Sequence, residues 1–400
     1  MHAFFKDHDF QFSVENVLGS VYSRAADIGE VLTTVDRIPN GHSDAWVREW
    51  TATAELLAEQ ARAAEEAGHP RSAAARWLRA ASYWSEACDK GDATGGFTTL
   101  WERHRDAWDR FVDLTDALGQ VSVQRLEIPY EGTVLPGYFF RREPGTEAHR
   151  TLVYTNGSDG SVVGAWVRGI ADALARGWNA MTFDGPGQNA ALVRQGLPFR
   201  PDWEHVVTPV VDHLVARPDV DARRIALLGV SQGGYWVPRA VAFEHRIAAA
   251  VADPGVVDVS TTMLTQLPHP MRKLLDAGRR ERFDEDMAWA LKVSPGTRHT
   301  LASRMRPYGT TSPYDFFTAA RAYRITADDA ARVRCPVLVT DPDHEQFWPG
   351  QSQQLVDMLP GTATLVRFTE DEGADSHCEP AANGLRGERV FDWLDEQVPA

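Results

Sequence analysis

Residues 229–233 read GVSQG, a serine between two glycines at the point where the apolar run IALL (225–228) stops and the helical text YWVPRAVAF (235–243) begins. A strand that turns sharply into a helix at such a motif exposes the serine oxygen, and Gly229 and Gly233 supply the missing side chains that let the turn close. A serine hydroxyl is a poor nucleophile at neutral pH. Ser231 therefore needs a general base, and the base needs a partner that fixes its tautomer.

In a strand–helix architecture of this type the order along the chain is serine, acid, histidine. The base is expected after the apolar run TATLVRF (362–368), in TEDEGADSHCEP, where His377 is the one histidine. The acid is expected after PVLVT (336–340), in DPDHEQFWPGQ, which offers Asp341, Asp343 and Glu345. Glu345, four residues before Pro349, is preferred, with Asp343 as the alternative acid. Asp341 next to Pro342 reads as a turn residue, and His344 as an exposed side chain. Acyl transfer develops a negative oxygen, which needs backbone N–H groups already aimed at it. Gln232, directly after the serine, supplies one; Ser158, in the loop TNGSDGS (155–161), is the candidate for the second. FDGPGQ (183–188) reads as a turn at the pocket rim, with Asp184 in a capping role.

These loops must be held by a scaffold. From residue 151 onward short apolar β-branched runs (151–155, 179–184, 224–229, 248–255, 336–340, 362–368) alternate with helical stretches near 163–176, 203–216, 233–243, 351–358 and 385–397. That rhythm predicts a mostly parallel doubly wound sheet with helices on both faces, an α/β fold. VSVQRLEIPY and VLPGYFFRR, separated by EGT, predict a hairpin ahead of it. Before the hairpin the pattern is helical, so residues 1–120 form an all-α cap or lid and 121–400 the α/β domain. Ser43 and Asp44 are candidate caps of one helix and Ser72 of the next, with Gly68 between them. Trp46, Trp50, Trp77, Trp84, Trp101 and Trp108 recur at helical spacing and read as core. From about 258 to 330 the strand signal gives way to polar, proline-broken helical text, an insertion between strands that would help roof a mostly apolar cleft.

Composition narrows the function. The 400 residues, 43% hydrophobic and 24% charged, are those of a globular protein too long for one small core. A formal net charge of −15 with no basic block argues against nucleic acid as a partner. The start carries scattered charges and no apolar leader, and no window approaches a membrane span, so a cytoplasmic protein is expected. Cys88, Cys335 and Cys378 lack CxxC spacing and read as small buried hydrophobes. Neither a metal nor an organic cofactor is suggested, because the histidines and acids do not fall at ligand spacings.

The stretches NGSDGS, FDGPGQ, LPFRPDWE, GVSQGGYWVPRA, EQFWPGQ and HCEP together resemble the α/β-hydrolase superfamily. Within it they are similar to the branch with an N-terminal helical domain, which includes fungal polyketide-shortening hydrolases of melanin pigment synthesis and pseudooxynicotine-type carbon–carbon hydrolases. The resemblance implies Ser231 as nucleophile, His377 as base and a carboxylate of EQFWPGQ as third member. The chain departs from common patterns in lacking the HGG of many esterase oxyanion loops and in offering Glu345 where Asp is more usual. It implies a serine hydrolase cleaving a small-molecule acyl substrate, polyketide-like or aromatic, at a C–C or ester bond. A carboxylesterase, peptidase or acyltransferase using the same residues is the nearest alternative; a non-catalytic binding protein of this fold is another. The N-terminal helices would alternatively be a dimerisation surface giving a homodimer.

Overall fold

The alternating runs after residue 120 fold into an antiparallel hairpin, β1 (Ser122–Tyr130) and β2 (Thr133–Arg141), in unbroken register from Ser122 opposite Arg141 to Tyr130 opposite Thr133. Its two-residue turn puts Glu131 at φ 39° and Gly132 at φ 82°, the paired positive φ that a tight hairpin requires. The structure, a computed structural model, describes residues 3–91, 95–119, 121–141 and 147–400. Residue 120, where the sequence divides the chain, and Arg142, the end of the second run, lie outside them.

The apolar runs become β3 (His149–Thr155), β4 (Asn179–Phe183), β5 (Val220–Val230), β6 (Ile247–Asp253), β7 (Val337–Pro342) and β8 (Ala363–Phe368). They form one eight-stranded sheet in the order β1-β2-β4-β3-β5-β6-β7-β8. β2 pairs antiparallel with β1 and β4, and β3 to β8 are parallel throughout. Strand order reverses between β3 and β5, so the loops leaving these neighbours part to opposite faces and open a crevice at their C-terminal ends. The loop carrying Ser158 and the turn carrying Ser231 lie there.

Five helices come first among the described residues: α1 (His8–Gly19), α2 (Ile28–Val35), α3 (Ser43–Glu66), α4 (Pro70–Asp89) and α5 (Phe97–Ala117). Asp7 caps α1, its carboxylate accepting from the N–H groups of Asp9 and Phe10. Between α3 and α4, Gly68 at φ 74° lets His69 N–H reach the Ala64 carbonyl and its own N–H reach Glu65, closing off the last carbonyls of α3. Ser43, Asp44 and Ser72 lie within first turns and do not cap. His42 and His69 hold the cap positions, and Pro70 opens α4, where its missing N–H costs nothing.

Burial follows strand alternation. One face carries Tyr138, Phe140, Leu152, Tyr154, Leu228 and Val251 into a single buried cluster with Trp46, Trp50 and Trp108 of the N-terminal helices. The opposite face carries Phe139, Val153, Leu227 and Ala250 into a second cluster with Trp203, and with Phe283 and Phe316 of the segment between β6 and β7. That segment is helical over Ser260–Thr265, His269–Asp276, Arg280–Val293, Pro295–Met305 and Pro313–Ala320. Cys378 is buried, whereas Cys88 and Cys335 are only partly so. Among the described residues no helix is long and apolar enough to cross a membrane.

A buried ion pair keys the helices to the sheet. Arg105 of α5 reaches Asp184, at the end of β4, at 2.5 Å, and both side chains are at most 5% exposed. Removing one partner strands the other charge in the interior. Arg105→Met is expected to lower unfolding free energy by about 3–5 kcal/mol in urea titration, and Arg105→Met with Asp184→Asn to recover much of it.

Candidate active site

Ser231 occupies the first residue after β5 with φ 56°, a left-handed conformation unusual for a non-glycine residue. The turn holds because Ser231 N–H donates to the Asp253 carbonyl at 2.6 Å and Gly234 N–H to the Ser231 carbonyl at 2.8 Å. A Cβ on Gly229 would lie 2.7 Å from the Gly233 carbonyl, and one on Gly234 only 1.8 Å from the Pro254 carbonyl. Gly233 is less constrained, its nearest approach being 3.3 Å. The glycines that close the turn are therefore Gly229 and Gly234; the sequence pattern pointed to Gly229 and Gly233, because the Pro254 contact has no local signature.

The loops after β7 and β8 bring Glu345 and His377 to this serine. Ser231 Oγ lies 2.9 Å from His377 Nε2. His377 Nδ1 lies 2.8 and 2.9 Å from the two oxygens of Glu345. A carboxylate only accepts, so the ring proton sits on Nδ1 and the Nε2 lone pair faces the serine hydroxyl. Glu345 Oε1 also accepts from Phe347 N–H at 2.8 Å and Trp348 N–H at 3.1 Å. Burial pushes the Glu345 carboxyl up, but His377 and these N–H groups outweigh it and hold it below the ordinary glutamate value.

The other acids of the loop point elsewhere. Asp343 is exposed, and its side chain accepts from Glu370 N–H at 3.4 Å. Asp341 lies 3.8 Å from Arg367, and burial raises its carboxyl. His344 is exposed and faces Asp375 at 2.8 Å.

Opposite His377, the loop after β3 lies hard against the turn: a Cβ on Gly157 would lie 2.8 Å from Ser231 Cβ. Gln188, the last residue of FDGPGQ, donates to the carbonyls of Asn156 at 2.8 Å and Gly157 at 3.1 Å, which fixes the peptide planes leading to Ser158. Beneath this loop the Trp203 and Trp236 rings stack at 4.2 Å, and Trp203 Nε1 reaches Thr155 Oγ1. The sequence assigned FDGPGQ only a turn; the orienting role of buried Gln188 depends on a contact 31 residues away.

Two further elements reach these residues. α1 brings Phe12 to 6.3 Å from the His377 ring and 6.2 Å from Phe347, which itself meets His377 edge-on at 4.6 Å. From the β6–β7 segment, Arg304 reaches Asp159 at 3.0 Å and Ser158 Oγ at 3.3 Å. Asp89, at the end of α4, accepts from Ser13 at 3.0 Å and pairs with Lys90 at 2.9 Å. The surroundings are thus aromatic on the His377 side and charged near the Ser158 loop, more polar than the apolar roof expected from the sequence, because α4 ends in charged residues there.

Comparison with known proteins agrees with this architecture. The sequence pattern described as the Prolyl oligopeptidase family matches residues 207–305, which span the turn at Ser231. Over 99% of the chain and 98% of their own lengths, Hydrolase LUC6 of Fusarium sp and 20-hydroxy-prefusarin hydrolase FUS2 of Gibberella moniliformis are each 29% identical to it. The solved structure of 2,6-dihydroxy-pseudo-oxynicotine hydrolase superposes with a TM-score of 0.74 at 19% identity, covering 95% of both chains. The chain has the α/β-hydrolase fold. Its similarity to the hydrolases LUC6 and FUS2 runs the full length of the chain, N-terminal helices included.

The turn geometry makes a prediction of its own. Gly234→Ala is expected to cost on the order of 1–3 kcal/mol from overpacking against Pro254, measured as a lower urea midpoint. Gly233→Ala is expected to cost clearly less.

Proposed function

We propose that the chain is a serine hydrolase of small-molecule acyl compounds, with Ser231 as nucleophile, His377 as general base and Glu345 as the acid that orients it. The observation that carries this reading is the continuous path from Ser231 Oγ through His377 to Glu345, each link 2.8–2.9 Å. His377 takes the Ser231 proton as Oγ attacks the substrate carbonyl. The N–H groups of Ser158 and Gln232 are the proposed oxyanion donors, supported by the contact of Gly157 with Ser231 and the clamp from Gln188.

The tetrahedral intermediate then collapses. For an ester, the C–O bond breaks and His377 protonates the departing alkoxide. For a β-dicarbonyl, the C–C bond breaks, its electron pair leaves as an enolate, and the same proton reaches that carbon or oxygen. Water, deprotonated by His377, releases the acyl group as a carboxylic acid. A polyketide-like or aromatic substrate is favoured by the Phe12 and Phe347 rings beside His377 and by full-length relatives such as the prefusarin hydrolase. A peptidase is the second reading, favoured by the match to the Prolyl oligopeptidase family.

Turnover of aryl esters, 1,3-diketones and peptides, measured side by side, separates these readings. Diketone or ester cleavage is expected; cleavage of peptides alone would overturn the small-molecule assignment. Ser231→Ala is expected to lose on the order of 10⁴-fold or more in kcat, and Glu345→Gln a comparable factor because it presents the wrong tautomer partner to His377. Asp343→Asn is expected to stay within about twofold, as a surface substitution away from the chemistry does. In the same assay, Phe12→Ala is expected to raise KM for aromatic substrates by roughly tenfold, the loss of one aromatic contact.

A further inference from the structure

Beneath the site lies a buried set of charged groups that the proposed chemistry does not use. Asp253 at the end of β6 is 0% exposed, Glu379 0% and Arg386 1%. Asp253 accepts from Arg386 Nε at 2.5 Å and from Thr340 Oγ1 at 2.8 Å. Arg386 Nη1 donates to the carbonyl of Arg168 at 2.6 Å. Arg168 in turn donates through Nη1 to the carbonyl of Cys378, the residue after His377, at 2.5 Å, and through Nη2 to Asn16 of α1. The ring closes on one atom. The Asp253 carbonyl accepts both the Ser231 N–H at 2.6 Å and the Cys378 S–H at 3.3 Å.

We propose that Arg168, Arg386 and Asp253 form a positioning network that sets the spacing of Ser231 and His377 and makes that spacing depend on the docking of α1. The inference rests on the reading of these two residues as nucleophile and base.

Two observations favour this over a merely structural ion pair. Of the six non-glycine residues with positive φ among those described, three sit on this network: Ser231 at 56°, Cys378 at 58° and Glu379 at 48°. Residues in such conformations persist only where their surroundings over-determine them, and here the bonds from Asp253 and Arg168 do so on both sides of the reacting pair. The network also reaches α1, at Asn16, one helical turn beyond Phe12. α1 lies so close to the His377 loop there that a Cβ on Gly19 would come within 1.8 Å of the Pro380 carbonyl. Glu379 lies beside this pair, one carboxyl oxygen 3.7 Å from Arg386 Nε, and burial and the charge of Asp253 push its carboxyl well above the ordinary range.

The test uses the full chain, a fluorophosphonate probe that reports the reactivity of Ser231, and steady-state hydrolysis of an aryl ester. Arg168→Met is expected to slow labelling and lower kcat by roughly 10–100-fold, the effect of misplacing reacting groups, while KM changes by less than about threefold. Arg168→Lys should restore part of the loss. Asn16→Leu should slow labelling in the same direction, and combined with Arg168→Met add little, since Arg168→Met already cuts the link to Asn16. Wild-type labelling rates in folded Arg168→Met, or losses confined to KM, would overturn the network; so would full additivity with Asn16→Leu. If Arg168→Met does not fold, the labelling rate of Asn16→Leu decides alone, a wild-type rate refuting the coupling to α1. Failure of the underlying reading looks different: the wild-type protein would label at a residue other than Ser231, whatever stands at 168.

Discussion

One contact constrains the rest of the molecule: a serine hydroxyl facing an imidazole lone pair at 2.9 Å. The lone pair is available because Glu345 holds the proton on the other ring nitrogen, and the hydroxyl is presented because a left-handed residue follows β5. Each half is costly in isolation. A buried carboxylate without the imidazole and two N–H groups would be an unpaired charge, and a strained serine without its bond to Asp253 would relax. The surrounding architecture keeps both halves in place at once.

The N-terminal helices take part in this directly. Trp50 and Trp108 are buried in the same cluster as Tyr138, Leu152 and Tyr154 of the sheet, and Arg105 pairs with Asp184 inside the protein. α1 packs its Gly19 against the loop that follows His377 and presents Phe12 to the imidazole ring. Residues near the start of the chain thus lie against His377, one of the proposed reacting groups. The β6–β7 segment contributes from the other side, through Arg304 at the Ser158 loop.

Much of this was legible in the sequence, and the reasons are physical. Parallel strands buried in a sheet leave continuous apolar runs, so β3 to β8 could be placed, and alternation around EGT placed the two strands of the hairpin. Ser231 and His377 lie in loops with a distinctive composition, and the interval from Glu345 to Pro349 distinguished one acid among three; the structure brings these three side chains together and sends Asp343 to the surface. What the sequence hid were contacts between distant segments. Nothing in ADPG marks Asp253 as a hydrogen-bond acceptor for the serine, nothing in FDGPGQ marks Gln188 as a clamp, and nothing in α1 places Phe12 over a histidine more than three hundred residues later. The cap assignments failed for a local reason: Pro70 starts its helix two residues before Ser72, so the serine falls in the first turn.

The most direct measurement is rapid-quench intact-mass spectrometry during turnover of a slowly deacylated aryl ester, followed by peptide mapping. The account predicts a covalent acyl adduct approaching one per chain within the first turnover, located on Ser231. Product release with no adduct on any time scale, or an adduct mapped to a different residue, would contradict it.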